Sequence, residues 1–196
     1  MSRIENIKYF ALLEEFETSS KLLKLVFGEL HNINLDNDFY FLRFLLLSQA
    51  LERFMKSYIC VVFFHKSNRL PDAGYVKGLG HDLEKLKDEI IKNYYYDFDR
   101  PQFKVDKEFI LECNDLNELI YILSEFGKLS RYYNFDIITG NTWIGIDTWE
   151  LWEKYENRLL DKTDYQKLLN FELDTEVYQK ISRHIIMVFE RFVSAL

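Results

Sequence analysis

An antiparallel all-α bundle of five to six helices is the fold this sequence predicts, and three observations predict it. Apolar residues recur at alternating steps of three and four over long stretches, the spacing of one face of an α-helix. Only two prolines and seven glycines interrupt 196 residues, too few for a fold built from many tight turns. Aromatic residues make up 17% of the chain, bulky side chains suited to filling the space between helices. The stretch from Asp38 to Lys66 shows the pattern most fully, with Tyr40, Phe44, Leu47, Leu51, Phe54, Tyr58 and Val61 on one face. Leu42, Leu45 and Leu46 add a second apolar face, so this helix should be covered on more than one side and stand at the centre.

The first helix spans about Ser2 to Leu30, where Tyr9, Leu12, Phe16, Ser19, Leu23, Val26 and Leu30 keep the same step. It should therefore pack along the central helix. HNINLDND reads as a loop in which Asp36 or Asp38 caps the central helix. KSNRLPDAGYVKGLG, with Pro71 and three of the seven glycines, is the clearest breaker. A short helix is expected from Asp82 to Tyr94, with Leu83, Leu86, Ile90 and Ile91 inward. YYYDFDRPQFKV reads either as an extended arm or as the frayed end of that helix. Asp115 with Glu118 three residues on forms a capping pair, opening a helix that buries Leu116, Leu119, Ile120, Leu123 and Phe126. Gly127 lies inside it, where glycine costs about 1 kcal/mol relative to alanine but permits close helix approach. Residues 136–148 read as an irregular insertion with a strand-like piece. Asp147 and Glu150 repeat the capping pattern before an aromatic helix with Trp149, Trp152 and Tyr155, a lid or an appendage. The last helix starts near Asp174 and carries Val177, Ile181, Ile185, Val188 and Phe192. No repeat or linker divides the chain, and 1–196 reads as a single domain.

The formal charge of −7 makes the whole molecule a poor non-specific ligand for nucleic acid, though it leaves a local basic patch open. Two cysteines, Cys60 and Cys113, do not make a disulfide framework and point to a reducing compartment. The N-terminal residues carry no apolar signal core, and the longest apolar run falls short of the roughly 18 residues that suggest a membrane span. A soluble, cytoplasmic protein without membrane contact is expected. The four histidines are scattered and none sits in a Glu-x-x-His pair, so no metal is expected. Gly-rich phosphate loops and a Gly-x-Ser-x-Gly elbow are also missing, and no cofactor is expected.

Three features carry the candidate chemistry. Gln49, Glu52, Arg53 and Lys56 form a polar stripe midway along the central helix, either a solvated face or a polar groove between helices. In GLGHDLEKL, Asp82 sits where an N-cap belongs, and His81 stands at a helix start beside a glycine loop, able to bind an anion or move a proton near neutral pH. Arg131, Tyr132 and Tyr133 pair a guanidinium with aromatic rings, which suits phosphate and base, or else packing with a salt bridge to Glu52.

QALERFMK on a long helix, GHDLEKL after a glycine loop and KLSRYY near the end of a later helix together resemble the HEPN superfamily of helical bundles. The resemblance covers roughly residues 38–135. It implies an antiparallel, usually dimeric bundle, working in toxin–antitoxin, phage-defence or RNA-processing systems as a metal-independent endoribonuclease or a non-catalytic binding module. The family's nuclease motif, an arginine followed after four to six residues by a histidine, has no counterpart before His31, His65, His81 or His184. Lys24 before His31 is the nearest, and lysine lacks the planar fork. The expectation is thus a non-catalytic module, a homodimer that binds RNA, a nucleotide or a protein partner through Glu52, Arg53, Lys56, His81, Asp82, Arg131 and Tyr132. One alternative is an endoribonuclease with His81 as acid or base and Arg131 stabilising the transition state. Another is a structural subunit that docks through Trp143, Trp149 and Trp152.

Overall fold

A computed structural model describes residues 3–33, 41–96, 98–128, 133–140, 146–169 and 174–196. These form α1 (Arg3–His31), α2 (Phe41–Ser67), α3 (Ala73–Gly78), α4 (Leu83–Glu89), α5 (Pro101–Glu112), α6 (Asn114–Lys128), α7 (Tyr133–Thr139), α8 (Thr148–Leu159), α9 (Lys162–Leu169) and α10 (Asp174–Ala195). A π-helical turn, Ile90–Tyr94, continues α4. Among the described residues there is no strand, and the all-α expectation holds. The cap expected at Asp36 or Asp38 lies outside the described residues.

The alternating stripe of α1 does what its spacing requires. Ser19, Leu23, Val26 and Leu30 are buried, and α1 runs antiparallel to α2, with Phe16 against Phe54 and Tyr9 against Phe64. On α2, Phe44, Leu47, Leu51 and Phe54 are buried as expected. Each such side chain contributes roughly 1.5–3 kcal/mol of hydrophobic stabilisation relative to exposure. Two details of that helix differ. Val61 and Leu42 are exposed, and the second buried face is built from Ser48, Met55 and Ile59, while Ala50 and Ser57 are buried on the opposite flank. The small Ser48 on that face lets α6 approach: a Cβ placed on Gly127 would lie 3.8 Å from Ser48 Cβ, ordinary van der Waals contact.

α2 packs on α1, α4 and α6, while α6 packs on α2, α4, α5, α8 and α10. The centre is therefore shared. Leu116, Leu119, Ile120, Leu123 and Phe126 of α6 are all buried, and so are Val177, Ile181, Ile185, Val188 and Phe192 of α10.

Several segments correct the sequence reading. Within the glycine-rich breaker, Asp72 caps the short α3 by accepting the Tyr75 amide at 2.8 Å. The ambiguous tyrosine-rich arm ends in α5, because Pro101 stands at the first helical turn, where its missing N–H costs nothing. The described part of the irregular insertion includes the helix α7, and α9 is a further helix that the spacing did not reveal. The α8 helix is no appendage: Trp152 and Tyr155 are buried, with the Trp152 ring 5.1 Å from that of Phe44. No helix among the described residues is long and apolar enough to cross a membrane.

Candidate functional site

The polar stripe of α2 and the start of α4 meet. Gly80 takes a φ of +64°, a left-handed turn that glycine adopts without strain, and this delivers His81 to the flank of α2. His81 Nδ1 lies 2.9 and 3.0 Å from the two carboxylate oxygens of Glu52. Lys56 Nζ donates to Glu52 Oε1 at 2.7 Å, one helical turn along the same face. The Glu52 side chain is 19% exposed and that of His81 59% exposed. In a neutral imidazole, a carboxylate that accepts the Nδ1 proton leaves Nε2 as an acceptor.

Asp82 caps α4 as its position predicts, accepting the Lys85 amide at 3.1 Å. It also ties that helix to α6: Ser124 Oγ donates to Asp82 Oδ1 at 3.1 Å, and Lys128 Nζ donates to Oδ2 at 3.2 Å. Ser124 Oγ in turn accepts the Leu83 amide at 3.0 Å. Burial works to raise the Asp82 carboxyl, but the Lys85 amide, Lys128 and Ser124 outweigh it and hold the group below its ordinary range. Burial likewise opposes the charge of Lys128, yet its bonds to Glu125, at 2.6 Å, and to Asp82 raise its pKa.

Of the expected site residues, the fold thus gathers Glu52, Lys56, His81 and Asp82. Arg53 does not belong with them. One residue further around α2, it reaches α1 instead and binds Glu15 at 2.7 Å. Arg131 and Tyr132, and with them the expected salt bridge to Glu52, lie outside the described residues. Trp143 lies outside them too, and Trp152 is in the core, so the expected tryptophan docking patch is not formed by these three residues.

Two further places escaped the sequence reading. Asp115 and Glu118 do not act as a capping pair. Arg158 of α8 binds Asp115 at 2.8 Å and Glu118 at 2.6 Å, and His184 Nε2 of α10 meets the other Asp115 oxygen at 3.0 Å. The Arg158 guanidinium also stands 5.1 Å from the ring of Tyr155, whose hydroxyl burial and nearby Asp115 push well above the ordinary phenol range. Elsewhere, a groove of about 300 Å³ is lined by Tyr58, Val61, His65, Tyr96, Phe98 and Phe103, among others. The groove explains why Val61 is not covered. Beside it Lys66 donates to the Asn93 carbonyl at 2.6 Å, and Phe98 takes a positive φ of 46°. The pairing of Asp115 with His184 joins residues 69 apart in sequence, for which no local spacing gives a signal.

Among the described residues no group of three or more histidine, cysteine or acidic side chains could hold a metal. Comparison with known proteins gave no relative: no family model, no curated protein and no solved structure matches this chain.

Proposed function

We propose that this protein is a non-catalytic, HEPN-like helical module, a homodimer that binds RNA or a nucleotide at the junction of α2 and α4, in a defence or toxin–antitoxin setting. One observation carries the reading: His81 is tethered through Nδ1 to a half-buried glutamate while the rest of its ring is open. An imidazole fixed in this way presents Nε2 to a hydroxyl or amine donor, and the 2′-hydroxyl and base edges of RNA supply such donors. The surroundings are close to electroneutral, because Lys56 is bonded to Glu52, Lys128 to Asp82 and Glu125, and Lys85 pairs with Asp82. Recognition by donors and acceptors suits such a site better than capture of bare phosphate.

The same tether favours a second reading. A carboxylate-oriented imidazole is also the arrangement of a general base, and the proton of a ribose hydroxyl is what a metal-independent ribonuclease must remove. Against that reading, among the described residues the lysines around His81, which are Lys56, Lys85 and Lys128, all pair with carboxylates and are not poised to stabilise charge developing on a phosphate.

Fluorescence anisotropy with short single-stranded RNA and with mononucleotides, on the intact protein and on His81→Ala, tests the proposal. Binding should weaken at least ten-fold in the variant while its helical circular dichroism is unchanged. Equal binding by both proteins refutes the site. RNA cleavage that persists in EDTA and disappears in His81→Ala makes the protein an enzyme.

A further inference from the structure

Among the described residues no other element covers the outer face of α1, on which Glu17 and Lys21 bind one another at 2.6 Å. Phe10, Glu14, Glu17, Lys21, Lys24 and Gly28 follow the helical step of four, three, four, three, four, and all are exposed. Phe10 leaves 67% of its surface open, and Ile7, Leu13 and Leu25 beside this row are also large, apolar and exposed. Gly28 stands in the last turn of α1, three residues before its end, where glycine is still a poorer helix former than alanine. Among the described residues no atom lies within 4 Å of where its Cβ would be, so nothing in their packing calls for a glycine there.

The row is symmetric about Ser19. Phe10 and Gly28 are each nine residues from it, Glu17 and Lys21 two, Glu14 and Lys24 five, and Leu13 and Leu25 six. We propose that α1 pairs antiparallel with α1 of a second copy of this chain, on a two-fold axis at the level of Ser19, with Phe10 seated over Gly28 of the other copy. A two-fold contact must be self-complementary, residue i meeting j and j meeting i. In this register the Glu14 and Glu17 pair of one copy faces the Lys21 and Lys24 pair of the other, at both ends of the axis. Leucines flank the charges, and each bulky Phe10 meets the one position that lacks a side chain. Parallel pairing would instead set Glu14, Glu17, Lys21 and Lys24 against their own likenesses. The exposed charges set register and direction, and the apolar groups supply the affinity.

This specifies the homodimer assumed in the proposed function and rests on that reading for stoichiometry alone. Sedimentation equilibrium at micromolar concentration should give twice the 23.7 kDa chain mass. Gly28→Leu fills the seat for Phe10 and should weaken dimerisation at least ten-fold, while the helix itself melts no earlier because leucine is the better helix former. The double reversals Glu14→Lys with Glu17→Lys, and Lys21→Glu with Lys24→Glu, should each yield monomers. The two reversed proteins should associate with one another when mixed, and the fourfold swap should restore the homodimer. A monomeric wild-type protein overturns both this inference and the homodimer reading. A dimer indifferent to Gly28→Leu and to both reversals overturns the α1 face alone and places the contact elsewhere.

Discussion

Two histidines in this fold rest on carboxylates, and their surroundings differ in every other respect. His81 lies at a turn between short helices, and its anchor Glu52 shares its charge with one lysine of the same helix. His184 lies within the 22-residue α10, and its anchor Asp115 is held at the same time by Arg158, so that three helices meet at one carboxylate. The same Arg158 lies over the ring of Tyr155, which stacks on buried Trp152. The second arrangement cannot move without disturbing the core, whereas the first hangs on a single carboxylate at an exposed turn. The same pair of residue types thus serves as a rivet in one place and as a presented group in the other. What separates them is the number of elements that converge on the acid.

The largest effect should come from the ground beneath the rivet. Trp152 is 1% exposed and touches Phe44 and Tyr155, so Trp152→Ala should cost about 3–5 kcal/mol, the range for a large buried aromatic. Urea denaturation followed by circular dichroism measures this directly. A loss below about 1 kcal/mol would return α8 to the role of an appendage and erase the difference between the two histidines.

At the presented histidine the decisive bond belongs to a neighbour. Ser124 is fully buried and accepts the Leu83 amide while donating to Asp82. Ser124→Ala leaves that amide without its partner, and a buried polar group left unsatisfied costs about 1–3 kcal/mol. Hydrogen exchange should show faster opening of α4 with α10 unaffected. Uniform acceleration across the molecule would mean that the α4 start is as much a part of the global core as α8.

These particulars also explain what could be read in advance. The inward faces of α1, α2, α6 and α10 were legible because burial leaves a periodic mark on the chain. The Asp82 cap was legible because its partners are its immediate successors. Glu52, Lys56 and His81 could be suspected but not joined, since only the turn at Gly80 brings the imidazole onto α2. Arg53 was wrongly grouped with Glu52 because consecutive helical residues point about 100° apart, enough to send one to His81 and the other to Glu15. The helix α5 was obscured by Pro101, a residue that reads as a breaker within a helix and as a starter at its first turn. The cluster of Asp115, Arg158 and His184 left no trace because it exists only once α6, α8 and α10 are packed.

The smallest effect depends on pH. Asp82 has a depressed carboxyl pKa in the folded chain, so the folded state holds its proton less readily than the unfolded one does. Its ionised form therefore adds stability that is complete above the ordinary carboxyl range, near pH 4, and is lost as pH falls through the folded-state value. Asp82→Asn keeps a good capping residue but ends the ion pair with Lys128. At neutral pH the change should cost about 1 kcal/mol. As pH is lowered from 5 toward 3, the gap in Tm between the two proteins should narrow, because the wild-type protein loses a contribution that the variant never had. Thermal melts at half-unit pH steps make the comparison. A gap that stays constant across the range would mean that Lys128 and the carboxylate contribute nothing through charge, and that the cap alone fastens α4 where His81 is presented.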